Sequence, residues 1–207
     1  MLMPIVIGLV LFLFLWMHIE GSKTNRKNQI IKDSFWNKEN QANVTRKVDI
    51  SGLDYITIPI DCLPFTDTTE EVLISLQHSI KSLSQYPILN LTGFSNTDLK
   101  LKYGVANITF LSQCDSNYTL LVNGLYKWGS YLYDHEQIHD ATTVFEFGIQ
   151  CRTDVSKNYL ILAKIYKDTN APKKIDDLML VAETLQSLTK DFILSSLKEI
   201  KLSSYLV

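Results

Sequence analysis

The run His135-Glu136-Gln137-Ile138-His139 has residue types and a spacing that could do covalent chemistry. On one continuous helix, histidines four residues apart share a face and can chelate a zinc ion. A glutamate between them can then polarise the metal-bound water, as in a zinc hydrolase. The surroundings argue against that reading. The run follows Ser130-Tyr-Leu-Tyr-Asp134 and straddles the junction between the helices expected over about 118–133 and 138–151. Asp140 adds a charge directly after the second histidine, and the longer form of the motif fails at Thr142 and Phe145. Glu183 is the candidate third ligand, with nothing around it in support, and Glu146 is too near along the chain. The sequence is therefore read as a non-enzyme with no metal or other cofactor. The alternative is a membrane-anchored zinc metallohydrolase with His135 and His139 as ligands and Glu136 as the base.

Other chemistry has no residues to carry it. There is no Gly-rich phosphate loop and no nucleophile elbow. Cys62, Cys114 and Cys151 are an odd, widely spaced set, read as reduced thiols acting as small apolar side chains. Twenty basic against 22 acidic residues give a formal charge of −2, without the basic stripe that nucleic acid demands. No small-molecule substrate is indicated. Trp128 and Tyr131, in the aromatic stretch from Tyr126 to Tyr133, are read as contacts between helices.

The elements that would position these residues begin with a membrane anchor. Residues 1–19 read MLMPIVIGLVLFLFLWMHI, without a polar side chain from Ile5 to Met17. As a helix they span about 28 Å, close to the roughly 30 Å hydrocarbon core of a bilayer. No Lys or Arg precedes the run and no small-residue cleavage site follows it, so it is read as an anchor and not as a cleaved signal. Lys23, Arg26, Lys27 and Lys32 lie on its C-terminal side and place the soluble domain in the cytoplasm, as a single-pass protein of the cell membrane. Four glycosylation sequons, at Asn43, Asn90, Asn107 and Asn117, are the counter-signal on topology.

Three domains follow: the anchor at 1–20, a juxtamembrane basic segment and extended arm at 21–69, and a helical repeat-like domain at 70–207. The juxtamembrane segment is expected to stay helical to about residue 44. The arm is expected to be extended but not a sheet, because Pro59 and Pro64 interrupt its β-branched run. Leu73, Leu76, Ile80 and Leu83 make one apolar stripe, capped by Thr68 or Thr69 and stopped by Pro87. A helix capped by Asn96, Thr97 or Asp98 is expected to reach about Ser112, with a short strand over 99–105 as the runner-up. Five helices are expected beyond, over about 118–133, 138–151, 156–168, 172–187 and 190–200. The last has Leu185, Leu188, Phe192, Leu197 and Ile200 as its apolar set.

Laying residues 122–155 over 156–189 pairs Gly129 with Ala163, Leu132 with Tyr166, Ala141 with Ile175, Phe145 with Met179, and Gly148 with Ala182. Antiparallel helices in close contact need small residues at the crossing and large ones beside it. With its 34-residue period, this segment resembles two tandem tetratricopeptide repeats, departing from the pattern at Ile175 and Thr153. The runs Leu89–Ile108 and Cys151–Asp154 are similar to an uncharacterised family of small membrane-anchored proteins of anaerobic Gram-positive bacteria. The repeat resemblance implies a mainly α fold of stacked antiparallel helical hairpins beyond the anchor and arm. It also implies a membrane-tethered scaffold or adaptor, anchored in lipid through residues 1–19 and holding a protein or peptide partner. Asn123, Lys127, Ser130, Asn158 and Lys164, on the first helix of each pair, are the candidate partner-binding residues.

Overall fold

A computed structural model describes residues 2–203; within the first 25, side chains are described at Gly8, 12–14, 16–18, Glu20 and Lys23. The chain is mainly helical: α1 (Leu2–Asn43), α2 (Glu71–Leu83), α3 (Asn96–Tyr103), α4 (Ile108–Asp134), α5 (Ile138–Gln150), α6 (Ser156–Asp168), α7 (Pro172–Glu183) and α8 (Lys190–Ser203), with a single 3₁₀ turn at Val105–Asn107. No strand occurs among the described residues. The anchor expected at residues 1–19 falls largely on side chains outside the described ones. Among the described residues, no helix is long and apolar enough to cross a membrane.

The chain divides into two compact units. The first comprises residues 1–48 and 95–108. Here the last turns of α1 dock on α3, with Ala42, Leu99 and Tyr103 buried. Polar pairs run beside that contact: Lys38 to Asp98 at 2.8 Å, and Glu39 to both Lys100 and Thr97. The cap of α3 is Ser95, one residue before the expected candidates. Its side chain accepts from the Asp98 N–H, while Asp98 accepts from the Ser95 N–H, a capping box.

The helix expected from Asn96 to about Ser112 is broken. Gly104 sits at φ 84°, in the left-handed region, and a Cβ there would stand 2.3 Å from the Arg46 carbonyl oxygen. Only glycine fits so close a backbone approach in that conformation. Asn107 donates to the Tyr103 and Val48 carbonyls at 2.7 and 2.8 Å, which fixes the turn, and α4 then starts at Ile108. The second half of the expected helix therefore belongs to α4, which is 27 residues long.

The second unit comprises residues 49–94 and 109–207. The arm is extended, as expected, and crosses α4, where Phe65 lies 4.8 Å from the Trp128 ring. On α2, Leu73, Ile80 and Leu83 are buried with Leu76 half-buried; the helix starts after Glu70, whose N–H reaches the Thr68 hydroxyl. Helices α5 to α8 form successive hairpins, with α6 also packed on α8. Gly129 is filled by the Phe145 ring, where a Cβ would come within 2.7 Å. The small-and-large positions paired by the 34-residue offset are buried, with Met179 half-buried. In α8 the buried residues are Ile193 and Leu197; Leu188 and Phe192, expected inside, are exposed. Cys114 and Cys151 are buried and Cys62 is exposed, so only two of the three thiols act as core residues.

The 34-residue offset also governs backbone hydrogen bonding. At the end of α4, the amides of His135, Glu136 and Gln137 donate to the carbonyls of Tyr131, Tyr133 and Leu132. At the end of α6, the amides of Thr169, Asn170 and Ala171 donate to those of Ile165, Lys167 and Tyr166, each 34 residues on. The left-handed residues correspond as well: Glu136 at φ 62° and Asn170 at φ 53°. Each turn ends its helix by the same device, an αL residue followed by an amide that reaches back five residues.

Candidate partner-binding face

Three sides of α4 are occupied. Its Gly124 faces Ile80 of α2, Trp128 faces the arm, and Gly129 faces α5. The fourth side presents exposed Thr119, Asn123 and Lys127, with half-buried Tyr126 beside them. At the 34-residue offset, α6 presents exposed Lys157 and Lys164, with Leu160 and Ile161 half-buried. The Lys157 ammonium lies 5.8 Å from the centre of the Tyr126 ring, which fixes α4 and α6 as neighbours. Helix α6 packs on α8, where the same offset arrives at Asp191, Leu194, Ser195 and Lys198.

The five residues expected to hold a partner separate into two groups. Asn123, Lys127 and Lys164 are exposed on this face, and the Asn123 amide donates to the Thr119 carbonyl of its own helix. Ser130 is half-buried, and its hydroxyl oxygen is covered without a hydrogen-bond partner. Asn158 is fully buried, and neither amide atom has a partner. It fills the notch at Gly148, where a Cβ would meet its Nδ2 at 2.5 Å, so it is not open to a partner. Lys157 and Lys198 went unrecognised, although they stand one repeat beyond Asn123 and Lys164.

The face is electrostatically uneven. Lys174 and Lys201 are ion-paired to Glu146 and Asp176. Among the described residues, Lys127, Lys157, Lys164 and Lys198 form no ion pair. Next to the face, at the first half of α4, a cleft of about 400 Å³ runs between residues 91–94, α4 and residues 154–155. Its floor includes Tyr118, whose hydroxyl donates to the Arg152 carbonyl at 2.9 Å and accepts from the Asn90 amide. Burial pushes the Tyr118 phenol well above its ordinary value and raises the Asp115 carboxyl; a bond from the Leu91 amide opposes the latter.

The histidine pair does not share a helix. His135 lies past the end of α4, Glu136 is left-handed, and His139 opens α5. The His135 ring stacks on Tyr131 at 4.0 Å, and its Nδ1 is 2.8 Å from the Tyr131 carbonyl. The one-face geometry that the zinc reading requires is broken by the turn. No group of three or more metal-ligating side chains occurs among the described residues. All four sequon asparagines are engaged: Asn43 accepts from the Lys100 ammonium at 2.9 Å, Asn90 and Asn107 are bonded as described, and buried Asn117 donates to the Pro87 carbonyl at 2.9 Å. Compared with known proteins, the chain matches no family model, no curated protein and no solved structure.

Proposed function

We propose that the chain is a membrane-tethered protein-interaction module. In this reading residues 1–19 anchor it in the bilayer. A stack of helical hairpins of tetratricopeptide type stands on the cytoplasmic side and holds a peptide or protein partner against the outward face of α4 and α6. The observation that carries it is the duplicated turn, in which the same three backbone bonds and the same left-handed residue recur after 34 residues. A repeated hairpin lines up equivalent side chains of successive helices into one continuous surface, the basis of recognition by helical repeats. The apolar run from Ile5 to Met17 supports the tether, and the four basic residues after it support the orientation.

The test is site-specific photo-crosslinking in intact cells. A photoreactive phenylalanine at Asn123 or Lys127 of the full chain should give one discrete adduct on α4. The same group at Lys173, exposed on α7, should give none. Equal labelling from both positions, or none from either, overturns the reading.

A further inference from the structure

We propose that the outward face of α4, α6 and α8 receives an acidic, extended segment of a partner protein, with carboxylates on Lys127, Lys157, Lys164 and Lys198 and apolar side chains over Tyr126 and Leu160. This rests on the partner-binding reading above and adds the partner's chemistry.

The offset that repeats the turns also sets the rows of this face. Lys127, Ile161 and Ser195 occupy one row, Asn123, Lys157 and Asp191 the next, and Ser130, Lys164 and Lys198 a third. Four ammonium groups without ion pairs thus spread over three successive first helices; off this face, Lys174 and Lys201 are ion-paired within the fold, while Lys173 stands exposed on α7 without an ion pair among the described residues. Around the lysines, Asp134 and Asp168 stand at the C-terminal ends of α4 and α6, and Asp191 shares the Lys157 row at the start of α8. Complementarity therefore asks for negative charge in the middle of the face.

Spacing narrows the partner further. Neighbouring packed helices lie about 8–10 Å apart, and an extended chain advances roughly 3.3 Å per residue. A strand-like segment crossing the three helices would meet a new lysine at about every third residue. Tyr126, Leu160 and Leu194 are half-buried and packed against the core of the second unit, leaving part of each apolar side chain open on this face. They do not project as a wedge for lipid would, which favours a protein segment over an anionic membrane.

The test uses the full chain in non-ionic detergent micelles. The probe is a fluorescein-labelled ten-residue peptide with glutamate at every third position and leucine beside each glutamate, followed by anisotropy. Saturable binding is expected, weakened about tenfold or more by K127E/K164E and by raising salt from about 50 to 500 mM. K173E on α7 should bind as the parent does. Circular dichroism of the double variant, matching the parent, establishes that the charge and not the fold was changed.

If a matched peptide with lysine in place of glutamate binds as well and is lost in K127E/K164E, the acidic specificity is overturned while the partner face stands. Absence of peptide binding alongside positive crosslinks at Asn123 has the same meaning. Absence of both overturns the face itself. Binding to phosphatidylserine vesicles, lost in the double variant and without peptide binding, would overturn the proposal in favour of a lipid surface.

Discussion

At Gly129 a methyl group would stand 2.7 Å from the Phe145 ring, and at Gly148 it would stand 2.5 Å from the Asn158 amide nitrogen. The two positions look alike in sequence but differ in what fills them. Phe145 is a rigid, fully buried ring, so Gly129→Ala is expected to cost about 1–3 kcal/mol by overpacking, lowering Tm by a few degrees. Asn158 is a buried amide with no hydrogen bond, so its loss relieves a desolvation cost. The double variant Gly148→Ala/Asn158→Ala should therefore melt higher than Gly148→Ala alone, with the two effects non-additive. Thermal unfolding of the four proteins checks this, and strict additivity would refute the contact. The sequence displayed Gly129 and Gly148 as small-residue slots because the 34-residue offset compares them with Ala163 and Ala182. It misplaced Asn158 on the outer face because polarity was read as exposure. The same offset pairs Asn158 with Gly124, which faces Ile80 on an occupied side of α4.

The two repeated turns make a prediction at the level of the element. A left-handed conformation costs an ordinary L-residue about 1–2 kcal/mol, and asparagine tolerates it better. Glu136→Gly should therefore stabilise the protein by about 1 kcal/mol and Asn170→Gly by less, measured by denaturant midpoint. If Asn170→Gly gained more than Glu136→Gly, the account of these turns would be wrong. Purified protein made without a His tag and dialysed against a mild chelator should retain no zinc, and His135→Ala should leave the metal content unchanged. One zinc per chain, lost in that variant, would restore the hydrolase. In the first unit, Asp98 is held at about 2, below its ordinary 3.8, by the Lys38 ammonium and then by the Ser95 bonds of the cap. Being depressed, it contributes stability that is complete above about pH 4 and disappears as pH falls toward 2. Helicity lost from α3 across that window should be reduced in Lys38→Met. The helices from α5 to α7 were legible to within a few residues, because the apolar period and Pro172 at the first position of α7 agree. The break at Gly104 was not, since it depends on the backbone at Arg46, far along the chain. In α8 the apolar residues outnumber what the core accepts, so the buried pair fell on Ile193 and Leu197 and left Phe192 outside.

For the molecule as a whole, the proposed cytoplasmic orientation rests on charge beside an apolar run in the sequence, and it carries its own test. Trypsin should degrade the helical domain in inside-out membrane vesicles and spare it in intact spheroplasts; the opposite pattern would invert the orientation. The sequons, a counter-signal in the sequence, carry less weight in the fold. Asn107 and Asn117 are buried with their amide nitrogens donating to backbone carbonyls. A glycan on either would remove a donor and need space that the interior lacks.

The contact of Phe65 with Trp128 also gives the second unit an optical signature. Trp128 is fully enclosed, whereas Trp16 and Trp36 are exposed at 57% and 59%. With Trp16 and Trp36 changed to phenylalanine, the emission of the remaining indole would report on one event, the seating of the arm over α4. A red shift that precedes the loss of helical ellipticity would time the departure of residues 56–65 before the hairpins melt.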